Sequence, residues 1–209
     1  LREQPEVGFA IGQTRSLNTQ ADLLVGLQRF VENAEIIPSE AADPLLNLPQ
    51  IHLSGQQVIL SDRAAQRLQA KVGDSVRLRA TRRLDGINER GELTLQVVAV
   101  LDAARFGRAA GFVAPPLLLA LERFRDGYQV PAFGLDTGQP LGHLQPLYAR
   151  ARVYARDVDG VAPLERWLNG QNIETSSRLA DIDNVKAINH VLGLIFGVIA
   201  GAALIGCIA

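Results

Sequence analysis

Cysteine is nearly absent from this sequence: the only one among 209 residues is Cys207. No disulfide can form within the chain, and cysteine usage assigns no redox compartment. Histidine is scarce too. His52, His143 and His190 lie far apart and share no metal-ligand spacing. There is no G-x-x-x-x-G-K-[ST] loop to cradle phosphates and no G-x-S-x-G elbow to present a nucleophilic serine. Asp181 and Asp183 form a close acidic pair, but two residues apart on a helix they point to different faces. No catalytic, cofactor-binding or metal-ligating residue is therefore assigned. A net charge of −1 implies no strong attraction to nucleic acid or anionic lipid. The locally basic stretch RLRATRRLDGINER reads as the solvated face of a hairpin.

One region lacks charge altogether. Residues 187–209 contain no Asp, Glu, Lys or Arg. As a helix, 23 residues at 1.5 Å each span roughly 35 Å, enough for a hydrocarbon core of about 30 Å. The segment reads as a transmembrane helix, and the chain as a fragment that stops inside it. Gly193, Gly197 and Gly201 fall on one face of that helix and would let a second helix pack closely. Just before it, Leu179, Ile182, Val185, Ile188 and Leu192 recur every three or four residues, with no Gly or Pro among them. One continuous helix from about residue 179 is expected, its first turns standing above the membrane as a stalk. Asp181, Asp183, Asn184 and Lys186 on those turns would be solvated.

The remaining residues suffice for one sizeable domain or two small ones, and such a chain can bury a core without disulfides. VGFAIG at 7–12 alternates as a strand does. Leu23, Leu24, Leu27, Phe30 and Val31 then recur at helical spacing, Asn33 is a plausible stop, and AEII at 34–37 reads as a strand. The same order returns near the other end. RARVYAR at 150–156 alternates; Val161, Leu164, Trp167 and Leu168 form a helical stripe between a capping Asp159 and a stop at Gly170; NIETS at 172–176 reads as a strand. Shifted by 137 residues, Asp22 falls on Asp159, Leu27 on Leu164, Arg29 on Arg166, Ile36 on Ile173 and Ser39 on Ser176. The expectation is an α+β protein whose two ends are β-α-β units in one ferredoxin-like layer.

The middle differs. EAADPLLNLPQIH is a Pro-punctuated connector. Val58, Ile59 and Leu60 form a strand, Ser61 caps a short helix with Ala65 and Leu68 inward, and Gly73-Asp74 turns the chain. Val76 and Leu78 alternate with Arg77 and Arg79, and ELTLQVVAVL pairs back across the polar tip DGINERG. GFVAPPLLLALERFRDG gives a strand, a Pro-started helix and a stop at Gly127. Residues 50–145 read as a small β-rich insert, flanked by 1–49 and 146–178 folding together and followed by stalk and membrane helix over 179–209.

AAQRLQAKVGDSVRLRA followed by LTLQVVAVL resembles the periplasmic domain of MacB-like ABC transporter permeases, the group that includes MacB, LolC, LolE and FtsX. ARVYARDVDGVAPLERWL, running on to NVKAINHVLGLIFGVIAG, resembles the second half of that domain entering the second membrane helix. The resemblance implies a porter subdomain made from both chain ends and an inserted Sabre-like β-rich subdomain. It implies a bacterial inner-membrane location with residues 1 to about 186 in the periplasm. It also implies a second permease subunit, in a homo- or heterodimer, and a separate cytoplasmic ABC ATPase subunit that would carry the enzymatic activity. A periplasmic protein or lipoprotein is a further candidate partner. The tip residues Asp85, Gly86, Asn88, Glu89 and Arg90 are candidates for that contact by position. Lipoprotein, efflux, division and type VI secretion branches all remain open, as does an alternative: a membrane-anchored periplasmic sensor or adhesion domain with no ATPase.

Overall fold

The computed structural model describes residues 1, 3–15, 20–142, 148–177, 179 and 188. In chain order the elements are β1 (Val7–Gln13), β2 (Gln20–Val25), β3 (Arg29–Pro38), β4 (Gln57–Ser61), α1 (Asp62–Leu68), β5 (Ser75–Leu84), β6 (Ile87–Leu101), β7 (Ala110–Val113), α2 (Pro115–Arg125), β8 (Arg150–Ala155) and α3 (Val161–Gly170). Six of the strands close a barrel in the order β2-β3-β7-β4-β6-β5, with β5 pairing back onto β2. The class is mixed α+β, as expected. The described residues divide into two compact units, one within 9–153 and the other made of those within 1–8 and from 154 onward.

The barrel interior follows from strict alternation. Val76, Leu78 and Ala80 on β5 and Leu93, Leu95 and Val97 on β6 point inward, as do Leu23 on β2 and Leu60 on β4. Leu23, Leu60, Leu78 and Leu95 have no exposed surface; burial of each contributes about 1.5–3 kcal/mol. A barrel this narrow is filled by its own side chains. Ser61 ends β4 and caps α1: its hydroxyl accepts from Ala64 N (3.2 Å) and also from Ala110 N (2.9 Å), joining α1 to the start of β7.

A second apolar layer forms outside the wall. Ile37, Ile59, Leu101 and Phe112 pack with Leu46, and Leu45, Leu48, Ile51 and Leu53 of the Pro-punctuated connector cover them. Buried on both faces, β4 and β7 read as continuous apolar runs (VIL, GFV) rather than as alternating ones. The connector is held by the buried Asp43, which accepts from Ser39 Oγ (2.6 Å) and Leu45 N (2.9 Å) and pairs with the Arg152 guanidinium on β8.

The barrel also contains a repeat. Hairpin, strand and helix occur twice in succession: β2, β3, β4, α1, then β5, β6, β7, α2. Exchanging each element for its counterpart reproduces the neighbours around the ring. The parallel pair β3–β7 becomes β6–β4, while the antiparallel β4–β7 and β2–β5 pairs map onto themselves.

Several expectations are corrected. Residues 23–31 are no helix: Leu23 and Leu24 lie on β2, Phe30 and Val31 on β3, and Gly26 at φ +64° helps turn the chain between them. The stretch 172–176 is not a strand. Thr175 Oγ1 bonds Glu165 Oε1 and Asn169 Oδ1 (both 3.2 Å) and Ser177 Oγ bonds Glu165 Oε2 (2.7 Å), so side chains of α3 hold it as an extended tail. The two ends are therefore not copies of one β-α-β unit. The boundary expected at residue 49 has barrel strands on both of its sides, because β2 and β3 belong to the ring. The helix stripe of Leu164 and Leu168 is present, but Gly160 rather than Asp159 precedes it, its N–H bound by Asp157 Oδ1 at 2.7 Å.

The pairing of distant ends does occur. β1 and β8 form a two-stranded sheet. Ala149 N donates to Gln13 O and Arg156 N to Glu6 O, each at 3.0 Å, so the strands run antiparallel.

Candidate interaction surface

The expected partner-contact loop is a tight hairpin. Asp85 (φ +48°) and Gly86 (φ +83°) make a two-residue turn, and Leu84 pairs directly with Ile87. Two successive positive φ values define the turn whose twist matches antiparallel strands, and Asp-Gly is a preferred sequence for it. The loop is thus only Asp85 and Gly86; Ile87, Asn88, Glu89 and Arg90 already belong to β6.

Beneath the tip lies a buried arginine. Val76, Leu78 and Ala80 set the inward parity of β5, and Arg82 continues it, its side chain 1% exposed. Its guanidinium donates to Glu89 Oε2 (2.7 Å), Phe124 O (2.9 Å), Tyr128 O (2.7 Å), Thr137 O (2.9 Å) and Thr137 Oγ1 (2.9 Å). It also stands 4.3 Å above the Phe124 ring, which stacks on Phe133 with centroids 4.9 Å apart. The planar fork of arginine suits such a site, where every donor meets an oxygen. Thr137 and then Arg82 hold the Glu89 carboxyl below its ordinary value. Glu89 is consequently engaged internally by Arg82 and Thr137.

The outward face carries different chemistry. Arg77 and Arg79 share Glu92, at 2.8 Å each, and hydrogen bonding from Arg79 lowers the Glu92 carboxyl below its usual range. Arg83 pairs across the ribbon with Asn88, and Thr81 with Arg90. Arg83 and Arg90 are exposed and have no ion-pair partner among the described residues. With Asp85 and Asn88 they form a polar, net basic patch on a ribbon fixed from below, and Ile87, 66% exposed, lies at its tip. Arg83 and Ile87 were missing from the expected set; their proximity to the Asp-Gly turn is the signal that could have included them.

Of the expected stalk, Leu179 and Ile188 are described, both in helical backbone, Leu179 half-buried and Ile188 exposed. Ile182 and Val185 lie outside the described residues, as do Gly193, Gly197 and Gly201 and the whole segment 189–209. Among the described residues no helix is long and apolar enough to cross a membrane.

Neither a scan against protein-family models nor a search of curated proteins finds a match to the chain.

Proposed function

We propose that this chain is the extracytoplasmic part of a MacB-type ABC transporter permease, coupling ATP hydrolysis by a cytoplasmic partner to work in the periplasm. One observation carries the reading: β1 and β8 run antiparallel, so the chain enters and leaves the barrel side by side. That arrangement suits a domain inserted between two neighbouring membrane helices. The uncharged run at 187–209, following soon after β8 and α3, supports it further. In this reading β1, β8 and α3 make the porter side, the barrel is the Sabre-like insert, and the β5–β6 tip with Asp85, Asn88 and Arg90 meets a periplasmic protein or lipoprotein. A second permease subunit would pack along Gly193, Gly197 and Gly201.

The test is made in the complete transporter. Val185→Gly with Lys186→Pro should leave the barrel folded, judged by an unchanged protease-resistant fragment, yet uncouple ATP turnover from periplasmic work. Full transport by that variant would overturn the stalk. If no ATPase subunit purifies with the full-length protein from its native membrane, the reading gives way to an anchored sensor or adhesion domain.

A further inference from the structure

The ribbon pair β2–β3 carries an irregularity that the permease reading does not use. Ala21 pairs with Ala34 and Leu23 with Val31, so Asp22 alone faces both Glu32 and Asn33. The extra residue is accommodated at Asn33, which takes φ +50° and donates its backbone N–H to Asp22 Oδ1 at 3.0 Å. Bulges of this kind bend a strand and re-aim its side chains, and they recur beside binding sites.

Here the bulge lies between two cavities on the barrel wall that the connector leaves uncovered. One, about 320 Å³, is walled by Leu24, Leu27 and Phe30. The other, about 260 Å³, is walled by Gln20, Asn33, Thr81 and Arg125. Asp22, Glu32 and Arg79 line both, so the two form one trough with an apolar end and a polar end. Leu27, in the β2–β3 turn, is 91% exposed and Phe30, on β3, is 50% exposed.

The charges are mixed in a definite way. Glu32 has no ion-pair partner among the described residues. Arg79 lies opposite Asp22 in the β2–β5 ladder, spends its Nε–H on Glu92 and keeps both terminal nitrogens. Arg125, at the polar end, donates to Gln20 O, and burial pushes its pKa down while Asp22 opposes that shift. A simple anion would meet Glu32 and Asp22; a simple cation would meet Arg79 and Arg125. A molecule with both charges can set its cationic end by Glu32 and its anionic end by the terminal nitrogens of Arg79.

We propose that this trough binds a small zwitterion with an apolar side chain, the chemistry of a free amino acid or short peptide. Its ammonium lies toward Glu32, its carboxylate toward the terminal nitrogens of Arg79, and its side chain on Leu24, Leu27 and Phe30. Cavities of this size are at the small end of the range that holds organic ligands.

The full chain in detergent micelles, titrated with L-leucine and L-phenylalanine and followed by the amide resonance of Asn33, tests this. Saturable shifts at Asn33 are expected with both amino acids. N-acetyl-leucinamide, which has the side chain without either charge, and 3-methylbutylamine, which has the side chain and the cation without the carboxylate, should bind at least about tenfold more weakly. Glu32→Gln changes an exposed, unpaired carboxylate and should leave the fold intact while weakening L-leucine about tenfold. No shift at Asn33 with either amino acid, equal binding of N-acetyl-leucinamide, or unaltered affinity in Glu32→Gln would each overturn the proposal. No ATPase or permease partner enters this experiment, so its outcome is independent of the transporter reading.

Discussion

Arg82 and Glu89 form a 2.7 Å ion pair on the inward face of the β5–β6 hairpin, with the arginine side chain almost wholly enclosed. Its remaining donors are taken by oxygens of α2 and of the segment that follows it. Arg82→Ala would leave the carbonyls of Tyr128 and Thr137 without a donor, while Phe124 O keeps Gly127 N and the Glu89 carboxylate keeps Thr137. A buried carbonyl left without a donor costs about 1–3 kcal/mol. A fall of that size in unfolding free energy is expected in urea titration. Arg82→Lys should recover only a small part, because an ammonium cannot fork toward oxygens on both sides.

Gly91 lies where the hairpin crosses the aromatic stack. A Cβ there would come within 2.7 Å of Phe133 Cβ and 2.9 Å of Phe124 Cζ. Gly91→Ala should displace both rings and destabilise the barrel by about 1–3 kcal/mol, the usual cost of overpacking. Near-ultraviolet circular dichroism should report the disturbed rings, and a thermal melt the lowered midpoint. An unchanged melt would show that the stack gives way freely.

Acid should loosen the same region. Glu89 and Glu92 both have carboxyls held below the ordinary glutamate value of 4.5, by Thr137 and Arg82 in one case and chiefly by Arg79 in the other. The folded state thus binds these protons less readily than the unfolded chain does. The stabilisation is complete above pH 4.5 and disappears as pH falls through the depressed folded values. Chemical unfolding measured from pH 6 to pH 2 should show stability declining on the acid side, with a shallower decline in Glu89→Gln and Glu92→Gln.

What could be read from sequence depended on whether the pattern was local. β5 and β6 were legible because Val76, Leu78, Leu93 and Leu95 alternate strictly, and the Asp-Gly pair marks the turn between them. Ser61 and Pro115 announced α1 and α2 through capping and first-turn geometry. β2 and β3 misled because Leu24 and Phe30, paired with each other on the outer face, add apolar residues to the side that polar ones normally occupy. Over so short a window, two apolar faces of a hairpin imitate one face of a helix. Closure of β2 onto β5 had no local signal at all. At the candidate contact surface the turn was legible, whereas the inward role of Glu89 depended on Arg82. That arginine could have been placed by extending the parity of Val76, Leu78 and Ala80 by one step.

The exchange of β2, β3, β4 and α1 for β5, β6, β7 and α2 has a consequence for assembly. A chain of half this length, folding as one hairpin, one strand and one helix, would leave the outer sides of β2 and β3 and both sides of β4 unpaired. Open edges recruit further strands, and two identical chains related by a twofold axis would close the same six-stranded ring with none left over. The turn at residues 69–74 is the covalent link between the two halves of the ring. That link frees the halves from being identical: the first has a short hairpin with a bulge at Asn33, and the second a long one, the Arg82-anchored ribbon.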